Sequence, residues 1–396
     1  MELVWLDYPC EKGAGVMALT VNLIAFALDE NSGSEPGSGW AALRGHLALK
    51  HKVRLFTTET NKSNFETSSF HKHSGIEPIY VPSNISRKKF PGSQQIKYHF
   101  WIVRVSIVLR GYLKHAEVDE IVHHVTYSGD WNLTPLVFLQ KKQKLFWGPI
   151  GGCQKITFAE FLRLNFRGKI TELIRLTILT TFRYMLRRIL SKRDLTILAT
   201  NDAVIRFFGA KISVVYCPPL ILETSFNKKS TEKRIIFSSG RLIPLKNFEL
   251  QVRAMKFLDA SYELIIAGEG SEKNRLNRLI KKLELEERVS LIGELPREEV
   301  IAYLKNSHVF AFTSIRDSHS WSLAEAVSLG IPVATIGTPG NIAVIRNGNP
   351  TYLPIRKVDP KKFAEYLLNP IQFESNDCFN LEVLTLKYEE IFNSKY

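Results

Sequence analysis

Tyr262-Glu-Leu-Ile-Ile-Ala-Gly268-Glu269-Gly270 is a short apolar run ending on glycines. It leads through a charged stretch, about residues 271–285, into Val289-Ser-Leu-Ile-Gly293-Glu294-Leu295. Short apolar runs bounded by glycine read as buried strands, and the charged stretch between them reads as a helix. The same grammar repeats outward. Ile235-Ile-Phe-Ser-Ser-Gly240 precedes this stretch, and His308-Val-Phe-Ala-Phe-Thr313 follows it, with a later helix that Gly330 and Pro332 end. Alternating strand and helix predict an α/β fold with a doubly wound parallel sheet, whose ligands meet the carboxyl ends of the strands.

Chemistry-bearing residues fall where such ligands sit. Asp317 lies on the loop after the 308–313 run, and Glu325 is about two turns into the helix that follows. The two acids bracket a helix N-terminus, where backbone N–H groups at Ser320, Ser322 and Leu323 face an anion. A diphosphate there leaves one carboxylate for sugar hydroxyls and the other for ribose hydroxyls. Two acids alone are more often a surface pair. Here Gly240-Arg241-Leu-Ile-Pro-Leu-Lys246-Asn247 adds two cations five apart at the end of a strand. The Arg can hold phosphate oxygens bidentately and the Lys acts as a point charge, together stabilising a leaving nucleotide diphosphate.

The stretch Asp317 to Glu325 resembles the acid-x7-acid signature of retaining glycosyltransferases of family 4, usually Glu-Gly-Phe-Gly followed by a helical Glu-Ala. Ser318, His319 and Ser320 replace Gly-Phe-Gly, so this loop is less permissive of close backbone approach to the donor sugar. Gly240-Arg241-Leu and Lys246-Asn247 are similar to that family's donor motif. In the family the loop carrying Glu294 and Leu295 borders the nucleobase. Three amino-terminal stretches resemble a subgroup that works on bacterial surface polysaccharides, namely capsule, O-antigen and exopolysaccharide. They are Gly33-Ser-Glu35-Pro36-Gly37-Ser-Gly39-Trp40, Ile121-Val-His123-His124-Val-Thr126 and Phe146-Trp147-Gly148-Pro149-Ile150-Gly151-Gly152. The resemblance implies that Gly37 and Gly39 let backbone approach the diphosphate or acceptor, and that one imidazole of His123 and His124 meets the reacting sugar. Strand alternation turns one ring inward and one outward and leaves open which. The glycine spacing is not the Gly-x-Gly-x-x-Gly of a NAD site.

The resemblance further implies a GT-B architecture, with two Rossmann-like doubly wound domains facing each other across a cleft. Residues 1–216 are the expected acceptor-side domain, 217–380 the donor-binding domain, and 381–396 a carboxyl-terminal helix packing back on the first. The expected hinge is Tyr216 to Leu222, where Pro218 and Pro219 interrupt regular structure. The expected reaction is retaining, metal-independent transfer from a nucleotide diphosphate sugar, with UDP or GDP as the nucleotide and no separate cofactor. The expected acceptor is a glycan or lipid-linked oligosaccharide. No Asp-x-Asp occurs, and Arg241 and Lys246 supply the positive charge. A sugar-nucleotide epimerase or hydrolase, and a non-catalytic scaffold, stay open at this point.

Composition sets the remaining bounds. The 396 residues, 45% hydrophobic, are enough for two cores. Of the +14 net charge, residues 1–216 carry +12 (29 Lys+Arg against 17 Asp+Glu) and the rest only +2 (24 against 22). A basic amino-terminal half suits an anionic membrane surface or a lipid-diphosphate acceptor. Nucleic acid is the rival partner, but no zinc spacing, RNA-recognition signature or helix-turn-helix cue supports it. The densest basic stretches, Phe161 to Arg193 and Lys97 to Arg110, interleave cations with Leu, Ile, Val and Phe, and their apolar face suits either a membrane or the domain core. No apolar run has the length of a membrane span, and Val16 to Leu28, with Thr20 and Asn22, reads as the first buried strand. The amino end has no basic region before an apolar one, so no secretory signal is expected. Cys10, Cys153, Cys217 and Cys378 show no paired spacing, which suits a reduced cytosolic enzyme without a zinc site. The expected location is cytoplasmic, peripheral on the inner face of the membrane.

Overall fold

The computed structural model describes residues 19–30, 34–83, 93–114, 120–140, 143–164, 166–218, 234–348, 356–373 and 379–393. The first sheet holds β1 (Thr20–Ala25), β2 (Lys52–Thr58), β3 (Ile76–Val81), β4 (Glu120–His124), β5 (Lys144–Ile150), β6 (Leu195–Ala199) and β7 (Ser213–Tyr216). The second holds β8 (Arg234–Ser239), β9 (Tyr262–Ala267), β10 (Val289–Gly293), β11 (Val309–Phe312) and β12 (Val333–Thr335). The strand orders are β3-β2-β1-β4-β5-β6-β7 and β10-β9-β8-β11-β12, and the named strands pair in parallel throughout.

Both orders turn back after their first strand, so β1 lies between β2 and β4, and β8 between β9 and β11. Such switch points open a crevice at the carboxyl ends of the strands. In the second sheet the crevice receives the loops that carry Arg241, Lys246 and Asp317. Parallel sheets need cover on both faces, which is why β4 and β6 are buried at every residue. One face of the first sheet meets the helix Ser34–Ala48 and the carboxyl-terminal helix Leu381–Asn393, whose Leu384, Tyr388 and Ile391 join the core of β1 and β2. Gly45 permits that crossing, because a Cβ there would stand 2.9 Å from the Tyr388 ring.

The other face is covered by the helix Ser93–Leu113 and by the segment from Phe158 to Leu190, which runs through two short helices and an i→i+5 turn, Arg175–Leu179, into Thr180–Leu190. The inward side chains Tyr98, Trp101, Val105, Leu109, Leu186 and Leu190 belong to the core. The choice between core and outer surface therefore has a double answer, because each element also carries a second apolar row that is exposed. No described helix is long and apolar enough to cross a membrane. Of the expected hinge, Tyr216 to Pro218 are described and Pro219 to Leu222 lie outside the described residues, as do Val16 to Ala18 of the expected first strand and Cys10 and Cys378. Cys153 and Cys217 are free thiols.

Candidate functional site

The donor-side crevice is assembled by backbone before side chains enter it. Gly268 follows β9 at φ +144°, and a Cβ there would overlap the Gly240 carbonyl, so the turns after β8 and β9 stack as only glycine allows. Thr313, just after β11, donates from Oγ1 to the carbonyls of Lys246 (3.0 Å) and Asn247 (3.1 Å), and the Ile315 N–H donates to Leu245 (2.9 Å). Those bonds pull the cation loop and the acid loop together. Lys246 consequently forms an ion pair with Asp317, both side chains about four-fifths buried. The Lys246 ammonium also lies 5.1 Å from the centre of the Phe312 ring. Arg241 is exposed beside them and makes no ion pair among the described residues.

The helix Trp321–Ser328 begins at the crevice with Ser320 as its cap. Ser320 Oγ accepts from the Leu323 N–H at 3.4 Å and lies 3.2 Å from Ser322 Oγ. One of the amides expected to face an anion thus already has an internal partner. Glu325 is buried, and its Oε1 accepts from Arg297 Nε at 3.0 Å. Burial raises the Glu325 pKa, and the Arg297 charge works against that rise. Arg297 opens the helix Arg297–Asn306 two residues after Leu295, so the loop expected at the nucleobase and the acid expected at the ribose are tied. Glu294 is exposed and Leu295 half-buried on that loop. His319 is buried against Phe379, both ring nitrogens lack a partner, and burial lowers its pKa to about 3.

The amino-terminal domain grips the acid loop from across the cleft. Gln154 Nε2 donates to the Asp317 carbonyl, and Thr200 Oγ1 (3.3 Å) and Asn201 Nδ2 (3.2 Å) donate to the Ser318 carbonyl. Ser318 itself fills the space above Gly151, where any Cβ would overlap it. Arg316, one residue before the acid, pairs with the buried Glu172, and Arg356 pairs with Glu160 at 2.9 Å. A cleft of about 1050 Å³, open to solvent, lies behind the cation loop between Pro244, Phe248, Arg275 and Asp359. None of Arg241, Lys246, Asp317 and Glu325 lines it.

One expectation for the amino-terminal domain is corrected. His123 and His124 do face opposite ways, but both are fully buried and neither reaches the cleft. His123 Nε2 lies 2.9 Å from the Gly148 carbonyl, which can only accept, so that nitrogen carries the proton. Its Nδ1 then accepts from His46 Nε2 (2.9 Å), and His46 Nδ1 accepts from His51 Nδ1 (3.1 Å). The chain ends at His51 Nε2, which has no partner among the described residues. Burial holds the His51 and His123 pKa values down at about 4 and His46 well below its ordinary value. On the other face His124 lies 3.1 Å from Thr134 Oγ1 and 3.4 Å from the Tyr98 hydroxyl, and burial takes its pKa to about 3. A parallel sheet covered on both faces leaves no outward side for either ring.

Gly37 and Gly39 lie in the first turns of the helix Ser34–Ala48 that this motif opens. A Cβ on Gly39 would stand 2.5 Å from the Ala27 carbonyl, so this glycine serves close packing of helix on strand end. In the same motif Glu35 Oε2 accepts from the Tyr127 N–H at 2.7 Å. Surrounding protein raises its pKa, opposed by that N–H. Glu35, Arg297 and Gln154 were not singled out from sequence. Their partners are 92, 28 and 163 residues distant, beyond any local pattern.

Two doubly wound domains meeting at their strand ends define the GT-B fold of glycosyltransferases, and solved structures share it. Staphylococcus aureus TarM, in complex with fondaparinux, alpha-GlcNAc-glycerol and UDP, superposes with a TM-score of 0.64 over 95% of this chain and 100% of its own, at 11% identity. Residues 223–374 match the family Glycosyl transferases group 1. The phosphatidylinositol N-acetylglucosaminyltransferase GPI3 subunit of Saccharomyces cerevisiae is 27% identical over 147 residues, 36% of this chain and 32% of its own. The N-acetylgalactosamine-N,N'-diacetylbacillosaminyl-diphospho-undecaprenol 4-alpha-N-acetylgalactosaminyltransferase of Campylobacter jejuni is 37% identical over 100 residues, 25% of this chain and 27% of its own. The chain thus spans about a third or less of the length of these two curated relatives.

Proposed function

We propose that this protein is a retaining, metal-independent glycosyltransferase. It moves a sugar, of hexosyl type, from a nucleotide diphosphate sugar to a hydroxyl of a growing, lipid-linked bacterial surface glycan. The observation that carries the reading is the pairing at one crevice of Lys246 with Asp317 and of Arg297 with Glu325, on either side of the N-terminus of Trp321–Ser328. The matched family and the printed activities of the relatives support it, and both relatives' names specify a lipid-borne acceptor.

In this reading Glu325 takes the ribose hydroxyls, with UDP or GDP as the nucleotide. Arg241 and Lys246 meet the diphosphate, while Asp317 orients the sugar. Diphosphate entry draws the Lys246 ammonium from the carboxylate toward the phosphate oxygens, which frees Asp317 for sugar hydroxyls. The acceptor hydroxyl attacks the anomeric carbon on the face the diphosphate leaves. The carbon–oxygen bond to diphosphate breaks as the new glycosidic bond forms, and the acceptor proton passes to the departing phosphate oxygen. Clamping of the Ser318 backbone by Thr200 and Asn201 fixes the acid loop against the acceptor domain, which aligns the reactants and excludes water. The protein acts at the cytoplasmic face of the membrane.

The test incubates nucleotide sugars with polyprenyl-diphosphate-linked acceptors and reads the anomeric configuration of the product by NMR. Retention is expected. An inverted product contradicts the mechanism, and donor turnover at the same rate without acceptor marks a hydrolase or epimerase instead.

A further inference from the structure

We propose that the outer face formed by the helix Ser93–Leu113 and the segment Phe158–Leu190 docks on an anionic lipid bilayer, lying in its interface without crossing it. This deepens the lipid-linked acceptor reading above. The inward faces of these elements already complete the domain core, and their outer row stays exposed among the described residues. That row is long and apolar. Phe158 (75% exposed), Leu162, Phe166 (78%), Ile170, Ile174 and Ile178 (64%) recur at every fourth residue. In an uninterrupted α-helix such spacing drifts by about 40° per step. Here the break after Arg163 and the i→i+5 turn Arg175–Leu179 reset the phase, so the row stays on the outside. Ile96, Phe100, Val103 and Ile107 form a second exposed row on the neighbouring helix.

The two rows belong to one surface. Arg110 of the first helix donates to the Phe138 carbonyl at 2.8 Å, and Arg193, just after the second segment, donates to the Val137 carbonyl at 2.7 Å, so both straddle the turn Pro135–Phe138. A contiguous apolar face of this size marks a docking surface.

Charge decides what docks. The helix Ser93–Leu113 contains no acid, and the segment Phe158–Leu190 contains two, Glu160 and Glu172. Both are turned inward to the donor domain, onto Arg356 and Arg316. Lys97, Arg104, Lys169 and Arg188 lie on the same elements as the apolar rows, and Lys192 follows just after the second. A shallow cleft of about 600 Å³ combines both characters, lined by Met185, Arg188, Ile189, Lys192 and Arg193. An apolar row flanked by cations matches the acyl boundary and anionic headgroups of a bilayer. Because Arg316 precedes Asp317, the Glu172 pair places this surface beside the donor crevice, where a lipid-held acceptor arrives.

The test is flotation of the full chain with vesicles of equal parts phosphatidylglycerol and phosphatidylcholine, beside vesicles of phosphatidylcholine alone. We expect flotation with the anionic vesicles, at least tenfold weaker binding for Phe166→Ser/Ile178→Ser and for Arg188→Glu/Lys192→Glu, and no change for Leu386→Ser. Leu386 is exposed on the opposite face of the sheet. Circular dichroism monitors folding, and Ile107→Ser/Phe158→Ser repeats the comparison should the first apolar pair not fold. Absence of anionic-vesicle binding, binding that survives both kinds of substitution, or equal loss with Leu386→Ser overturns the proposal. So does self-association in light scattering that the apolar pair abolishes while vesicles stay unbound, which makes the occupant a second copy. Donor-induced stabilisation separates the two readings. If it persists without vesicle binding, only the surface assignment falls; if it is absent while vesicles bind, the transferase reading falls.

Discussion

Glu325 is a buried acid whose environment favours its neutral form, and the Arg297 guanidinium is the opposing influence. Removing the cation leaves the carboxyl in low dielectric with its pKa driven further up, so it becomes a poorer acceptor for ribose hydroxyls. Arg297→Ala is therefore expected to raise KM for the donor about tenfold, or ~1.4 kcal/mol, with kcat little changed, as steady-state kinetics will read. Lys246→Ala removes charge from the leaving diphosphate and is expected to lower kcat about 100-fold with a smaller effect on KM. A drop in KM effect and kcat effect reversed between these two variants contradicts the assigned roles. At this scale the acids and cations were legible because each sits on a local loop-to-helix or strand-to-loop pattern. Arg297 was not, because its role is fixed by a partner on another helix. His123 and His124 show the opposite limit. Alternation correctly turned them apart, but a sheet buried on both faces gave neither a view of the cleft.

The element that depends most on protonation is the carboxyl-terminal helix Leu381–Asn393. Its Tyr388 and Phe392 rings lie against His46 at 5.0 and 4.8 Å between centroids, over the neutral chain of His51, His46 and His123. Unfolded histidine titrates near about 6.5, whereas His51 and His123 do so at about 4 in the fold. As pH falls, the unfolded chain takes up protons first, so stability is intact above about 6.5 and is lost progressively toward 4. The melting temperature is expected to drop between pH 7 and 5, by less in His51→Gln, which lacks one of these titrating groups. A melting temperature that is flat over that window in the parent chain contradicts this account of the histidine cluster. Helix and strand placement in the second domain was legible in sequence because Gly240, Gly268 and Gly293 close β8, β9 and β10 and charged stretches separate the apolar runs. The glycine-rich motif of the first domain was legible as the opening of a helix, but not that Gly39 packs that helix against Ala27. The double apolar faces of Ser93–Leu113 and Phe158–Leu190 were visible as composition, but which row met the core depended on tertiary packing, with the i→i+5 turn Arg175–Leu179 shifting the phase in the second of them.

Across the whole molecule the two domains meet on one acid loop, with Gly151 beneath Ser318 and Thr200 and Asn201 on its carbonyl. Gly151 has no positive φ, so alanine suits its backbone and the only conflict is with Ser318. Gly151→Ala is expected to lower kcat at least tenfold by displacing the acid loop, with the melting temperature little changed. Adding Ser318→Gly opens the space again and is expected to restore most of the loss, a coupling that a double-mutant cycle measures. Failure of that rescue contradicts the clamp. Length and the repeated strand–helix alternation announced two domains, but contacts between residues 117 to 196 apart in sequence carry the interface and no local pattern records them. The central claim is that the crevice of Arg241, Lys246, Asp317 and Glu325 holds a nucleotide diphosphate sugar. Its most direct test is the melting temperature of the parent chain and of Glu325→Ala across UDP-, GDP-, ADP- and dTDP-sugars. One nucleotide sugar at about a hundredfold excess over Kd is expected to raise the parent by about 5 °C and the variant hardly at all. No rise with any of them, or an equal rise in both proteins, contradicts the claim.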